Sequence, residues 1–190
     1  MELFEVIIEG SGRHLHVTRE TLDTLFGKGF ELVPKKDLSQ PGQYASEQKV
    51  DLAGPKGTIK GVTIVGPCRP YNQVELSMAD ARPLGIDPPI RLSGDLAGSA
   101  PVKLVGPAGE VDLTEGAIIA KRHLHVSAED GEKYGIKDKD MVLLKVGGER
   151  GLTFDECQAR VGTTHATYVH LDYDEVNAIA GVTKATVVKK

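Results

Sequence analysis

The chain has 190 residues, 40 % hydrophobic and 26 % charged, enough for one domain or two joined lobes with a buried core. A formal net charge of −4 and the lack of tryptophan argue against a nucleic-acid partner. Two cysteines form no disulfide framework, and without a signal peptide or membrane-spanning run we expect no membrane partner and a cytoplasmic location.

Short apolar runs, separated by glycine and proline, predict a mainly β protein with small barrels. Examples are residues 2–9, 62–65, 102–105 and 141–144. Residues 52–57 and 104–109 share a Gly-Pro-x-Gly pattern that predicts tight hairpin turns, and neither fits a phosphate-binding P-loop because no Gly-Lys-Ser/Thr follows. Residues 34–48 and 83–98 are expected to be long connections.

Four short helices are predicted, each beginning at a Ser, Thr or Asp that can cap it. Their expected ranges are 18–26, 77–84, 127–134 and 172–180, and their expected ends are Gly27, Gly85, Gly135 and Gly181. A residue able to bind a metal stands two positions before each cap: His16, Glu75, His125 and His170. Each of these residues thus lies at a corner where a strand leads into a helix. If the four corners converge, they form a polynuclear metal site.

Two of the corners nearly repeat each other, with Arg-His-Leu-His-Val-Thr at 13–18 and Arg-His-Leu-His-Val-Ser at 122–127. Residues i and i+2 of a strand share a face, so His14 with His16, and His123 with His125, can each direct two imidazoles at one ion. A single His-x-His pair is more often a surface feature. The duplication favours the metal site, with zinc as the expected ion.

These corners, together with residues 34–43, 73–75, 91–95, 148–154 and 170–178, closely resemble the PduL-type phosphate propanoyltransferases, or phosphotransacylases, over nearly the whole chain. The resemblance implies a mainly β fold of two joined small barrels, each capped by short helices. Residues 1–12 with 121–190 would form one barrel and residues 13–120 the other, with the metal site between them.

The resemblance also implies the reversible conversion of acetyl-CoA or propanoyl-CoA plus inorganic phosphate to acyl phosphate plus CoA, at two zinc ions. By matching motifs, His14, His16 and Glu75 would bind one zinc; His123, His125 and His170 would bind the second; Arg69 would act in catalysis by contacting phosphate. Acyl-chain preference, the CoA contacts and a homodimer are left open.

Two features depart from the family pattern. Members that act in bacterial microcompartments, as in propanediol utilization, carry an additional N-terminal targeting helix, whereas residues 2–9 predict a strand here. We therefore expect a cytoplasmic protein, with the microcompartment lumen as the alternative. His165 matches no family motif and is expected to be a loop or strand residue without a catalytic role.

Three other functions fit parts of the pattern. A zinc hydrolase would use the same histidines with water as the nucleophile. An acyltransferase could instead carry the acyl group on Cys68. A metal-stapled scaffold would have closed, fully coordinated zinc. Release of CoA that depends on phosphate distinguishes the transacylase from the hydrolase.

Overall fold

The structure is a computed structural model that describes residues 1–190, and these form two units. The terminal unit contains Met1–Ser11, Ser39–Pro41 and Lys121–Lys190, whereas the central unit contains Gly12–Leu38 and Gly42–Ala120. Each unit has its own cluster of buried apolar side chains. Residues 39–41, which the resemblance assigns to the central barrel, group with the terminal unit.

Fourteen strands and four short helices make up the fold, so the prediction of a mainly β protein is confirmed. The strands are β1 (Glu2–Ser11), β2 (His14–His16), β3 (Pro34–Asp37), β4 (Tyr44–Ala53), β5 (Thr58–Gly66), β6 (Gln73–Leu76), β7 (Ile90–Arg91), β8 (Ala100–Val105), β9 (Glu110–Ala120), β10 (His123–Ser127), β11 (Met141–Val146), β12 (Leu152–Gly162), β13 (Tyr168–Asp172) and β14 (Lys184–Lys189). The helices are α1 (Arg19–Phe26), α2 (Met78–Leu84), α3 (Ala128–Tyr134) and α4 (Tyr173–Ala178). None of these helices combines the length and apolar character that crossing a membrane requires.

In the central unit six strands close into a barrel, in the order β4, β5, β2, β6, β9, β8 and back to β4. The short strand β2 runs antiparallel to β6 and parallel to β5, and β6 runs parallel to β9. The hairpins β4–β5 and β8–β9 complete the barrel. The inner faces of these strands form the apolar cluster, which includes Leu15, Ile64 and Leu104.

The terminal unit forms a second closed barrel with the same strand directions. Here β10 runs antiparallel to β13 and parallel to β12, and β13 runs parallel to the N-terminal strand β1. The strand β1 therefore takes the place that β9 has in the central unit, and β14 takes the place of β8. The repeat in the sequence is thus a repeat of the whole barrel.

All four helices begin where the sequence predicts, with the side chains of Thr18, Ser77, Ser127 and Asp172 accepting a backbone N–H of the first turn. Three end at the predicted glycines, Gly27, Gly85 and Gly135. The prediction for α4 is wrong, because this helix ends at Ala178 with Ile179 as its cap. Ala180 already has a φ of 55°, so the chain has left the helix before it reaches Gly181.

The two Gly-Pro-x-Gly segments form the predicted hairpin turns. Each turn is hydrogen-bonded to the C-terminal end of a helix. The backbone N–H of Lys56 donates to the Leu84 carbonyl at the end of α2, and that of Ala108 donates to the Leu25 carbonyl near the end of α1. A Cβ atom at Gly54 would lie 2.3 Å from the Leu84 oxygen, which explains glycine at that position.

One predicted connection is wrong. Residues 34–48 contain the strand β3 and the beginning of β4, which pair antiparallel. The proline and glycine at 41 and 42 lie in the turn between these strands, so turn-forming residues marked a hairpin here and not a long loop.

Candidate metal centre

In the central unit, His14, His16 and Glu75 form a group whose ligand atoms all lie within 4.8 Å of one another. The two histidines share one face of β2, and Glu75 lies directly opposite His14 on the neighbouring strand β6. The His14 Nε2 atom is 3.7 Å from Glu75 Oε2. His16 and Glu75 are buried, so their polar atoms are directed away from bulk water.

Backbone carbonyls fix the rings of both histidines. The Nδ1 atom of His14 lies 2.8 Å from the Gly12 carbonyl, and that of His16 lies 3.0 Å from the Val65 carbonyl. A carbonyl oxygen only accepts, so Nδ1 carries a proton in each ring, and Nε2 is the nitrogen left to face a metal. This is the arrangement that orients metal-binding imidazoles.

The carboxylate of Glu75 is held by Gln73, which is fully buried. The Gln73 amide nitrogen donates to Glu75 Oε1 at 2.5 Å and to the Ser93 hydroxyl at 2.8 Å. The Gln73 amide oxygen accepts from the backbone N–H of Gly94 at 2.7 Å, which fixes the amide orientation. Gln73 and Ser93 therefore support the site. The motifs alone did not predict either role, although residues 73–75 and 91–95 are among those that carry the family resemblance.

In the terminal unit, His123, His125 and His170 form the equivalent group, again with ligand atoms within 4.8 Å of one another. Their ring centroids are 4.7, 4.9 and 5.1 Å apart. His123 Nδ1 lies 2.8 Å from the Lys121 carbonyl, just as His14 Nδ1 faces the carbonyl two residues before it. His123 Nε2 and His125 Nε2 are 3.1 Å apart, so both face the centre of the trio.

Both groups fit a transition metal such as zinc. Burial first, and then the neighbouring charges of His14 and Arg69, lower the pKa of His16 to about 3. Burial first, and then the surrounding histidines, lower the pKa of His125 to about 2. Both imidazoles are therefore neutral at physiological pH, which is the form that binds a metal. The donor sets of His, His, Glu and His, His, His are ones that zinc accepts.

Arg69 lies beside the central group. Its backbone N–H donates to the Val17 carbonyl, and its guanidinium reaches three neutral oxygens, on Gln43, Tyr71 and Ser93, at 3.3 to 3.4 Å. These are long hydrogen bonds, and none of the acceptors is a carboxylate. The positive charge of Arg69 is therefore available to an anionic ligand.

A carboxylate that the sequence analysis did not identify contacts the terminal group. The Oε2 atom of Glu9 lies 3.1 Å from His170 Nε2, and the Ser39 hydroxyl donates to the same oxygen. Glu9 pairs with His170 across the parallel strands β1 and β13. Only this pairing, between the two ends of the chain, brings Glu9 to the site.

His165 is a loop residue, as predicted, but it lies against the terminal group. Its ring centroid is 4.7 Å from that of His125, with the rings at 78°. This contact was not predicted, because His165 belongs to no repeated motif.

Neither cysteine is set up as a nucleophile. Burial raises the pKa of the half-buried Cys68 thiol, which packs against the central core, and burial raises the pKa of Cys157 to about 12. Both thiols are held in the less reactive protonated form, which argues against an acyl carrier on Cys68.

Comparison with known proteins adds a separate line of support. A family model described as phosphate propanoyltransferase matches residues 7–182. A phosphate propanoyltransferase of Clostridioides difficile (strain 630) is 50 % identical over 182 residues, covering 96 % of this chain and 87 % of its own length. A protein of the same name from Thermotoga maritima is 49 % identical, covering 91 % of this chain and 83 % of its own length. A third, from Listeria monocytogenes, is 47 % identical, covering 91 % and 81 %.

Proposed function

The chain belongs to the phosphate propanoyltransferase family, a family of acyltransferases, and on this premise we propose the reaction acyl-CoA plus phosphate to acyl phosphate plus CoA. A phosphate oxygen attacks the thioester carbonyl carbon, the C–S bond breaks, and the electron pair leaves with the CoA sulfur. The acyl group is short, propanoyl or acetyl. The reaction is reversible, because thioester and acyl phosphate are both activated acyl donors.

We propose that the two groups hold two zinc ions, His14, His16 and Glu75 one of them, and His123, His125 and His170 the other. Bound zinc would supply Lewis acidity toward phosphate and affinity for the leaving thiolate. The protein contributes His16 and His125, which burial keeps neutral, and backbone carbonyls orient the rings of His14, His16 and His123. Gln73 keeps the Glu75 carboxylate in place through its 2.5 Å hydrogen bond.

The position and weak hydrogen bonds of Arg69 are the main support for phosphate as the acyl acceptor. Phosphate is already anionic near neutral pH, so the main obstacles to its attack are charge repulsion and orientation. The planar guanidinium can donate two parallel hydrogen bonds to phosphate oxygens, and it has only weak neutral partners to give up. Its position beside His16 and Ser93 would hold phosphate next to the central group.

We place the activity in the bacterial cytoplasm, with the lumen of a microcompartment as the alternative. Fractionation of the source cells with an antibody to the protein distinguishes the two, because encapsulated protein sediments with the shells.

The experiment that tests the function measures free CoA from propanoyl-CoA or acetyl-CoA with and without inorganic phosphate. We expect CoA to appear only with phosphate, and acyl phosphate plus CoA to regenerate the thioester. Sulfate, an anion of similar shape that forms no stable acyl product, is the matched control and should not support release. Equal CoA release without phosphate would identify a hydrolase instead.

A further inference from the structure

The two groups differ in how the second histidine of each His-x-His pair is held. His16 and His125 are equivalent, because β2 runs parallel to β5 as β10 runs parallel to β12. In the central unit the Val65 carbonyl accepts the Nδ1 proton of His16 at 3.0 Å. The register of β10 with β12 pairs His125 with Arg160, so the Arg160 carbonyl is the equivalent acceptor in the terminal unit.

That acceptor is taken by a different histidine. The Nδ1 atom of His165 lies 2.8 Å from the Arg160 carbonyl, so His165 is the donor there. The Nδ1 atom of His125 is buried and has no hydrogen-bond partner. His125 therefore lacks the hydrogen bond that orients His16.

The ring of His165 occupies the space beside His125. The two rings meet at 78° with centroids 4.7 Å apart, an edge-to-face contact of the favourable kind. On another side the ring packs on Gly162, where an added Cβ atom would lie 3.1 Å from it. The Arg160 carbonyl and the Gly162 backbone thus fix His165, and His165 in turn packs against His125.

We propose that His165 is a positioning residue of the terminal metal centre, setting the ring angle of His125 by packing where a backbone hydrogen bond sets that of His16. The inference rests on the proposed metal centre. It predicts that the His165 side chain affects one of the two metal ions and not the other. The central ion depends on backbone carbonyls, which no side-chain replacement at 165 removes.

The test compares three replacements of His165 in the zinc-loaded protein. His165→Ala removes the ring, His165→Gln removes the ring but keeps an N–H donor for Arg160, and His165→Phe keeps a ring without the donor. A chromogenic chelator measures the release of each ion, and cobalt substitution reports the ligand geometry through its visible spectrum. Unfolding of the metal-free variants shows whether each one folds.

We expect His165→Ala and His165→Gln to release one ion about 10- to 100-fold faster and the other at the wild-type rate, the size of effect that outer residues have on metal affinity. His165→Phe should stay close to wild type. Gly162→Ala is a second variant with an intact His165, and it should speed release of the same ion because its Cβ presses on the ring.

Unchanged or slower release in His165→Ala, loss of both ions together, or a Phe variant no better than Ala would overturn the inference. Failure of the proposed function gives a different result, since the wild-type protein would then hold fewer than two ions or release CoA without phosphate.

Discussion

Glu75 and His170 occupy the same position in the two units. Each lies directly across an antiparallel strand pair from the first histidine of a His-x-His pair, Glu75 opposite His14 and His170 opposite His123. One donor set therefore contains a carboxylate and the other contains three imidazoles. Since the barrels share their strand pairing, the same strand position holds a carboxylate in one unit and an imidazole in the other.

Metal content is the first prediction. We expect the purified protein to hold about two zinc ions per chain, because six ligands in two separate trios exceed what one tetrahedral ion uses. His16→Ala and His125→Ala should each lose one ion and abolish turnover, while the chain stays folded. Elemental analysis measures the metal content, and circular dichroism checks the fold. Full metal content and activity in both variants would show that these histidines do not bind the metal.

Arg69 gives the second prediction. Arg69→Ala should lower kcat/KM for phosphate by about 10-fold or more, because each charge-assisted hydrogen bond is worth about 1.5–3 kcal/mol. Arg69→Lys should not restore it, since an ammonium keeps the charge but loses the two-pronged geometry. Steady-state kinetics with phosphate and CoA varied separately measure this, and the CoA dependence should change less. Normal phosphate kinetics in Arg69→Ala would assign the residue a purely structural role.

The third prediction concerns pH. In the metal-free protein the pKa values of His16 and His125 are lowered to about 3 and about 2, whereas an unfolded histidine titrates near 6.5. Below pH 6.5 the unfolded chain therefore binds more protons than the folded one. The contribution of these two groups to the free energy of unfolding is therefore fully present above pH 6.5. It falls by about 1.4 kcal/mol per pH unit for each histidine as the pH decreases toward the pKa values of the folded protein.

Urea unfolding of the chelator-treated protein between pH 7 and 5 measures this slope. The His125→Gln variant should lose its share of the slope, which separates the contribution of His125 from those of the other titratable groups. Identical slopes in the variant and the wild type would mean that His125 is not kept neutral by burial.

The turn at Gly54 gives the fourth prediction. Gly54→Ala should lower the free energy of unfolding by about 1–3 kcal/mol, because its Cβ would lie 2.3 Å from the Leu84 carbonyl oxygen and the end of α2 must shift. Gly147→Ala is the matched control, with nothing within 4 Å of the added Cβ. Thermal or urea unfolding compares the two; equal stability of both variants would show that the turn adapts without cost.

The local features of this protein follow from its sequence. The caps at Thr18 and Ser77, for example, depend on a side chain and an N–H three residues later, and the pairing of His14 with His16 depends only on the two-residue period of a strand. Because such features involve neighbours in the chain, short motifs were enough to predict four helix starts and both His-x-His pairs.

Tertiary structure decided what depends on pairing between distant strands. It joins β1 to β13, which brings Glu9 to His170, and it sets the register of β10 on β12, which places Arg160 beside His125. Nothing near residue 9 or 125 in the chain encodes these contacts. The buried faces of two closed barrels fix which strands meet, since a register shift of one residue would turn every apolar side chain of a strand outward.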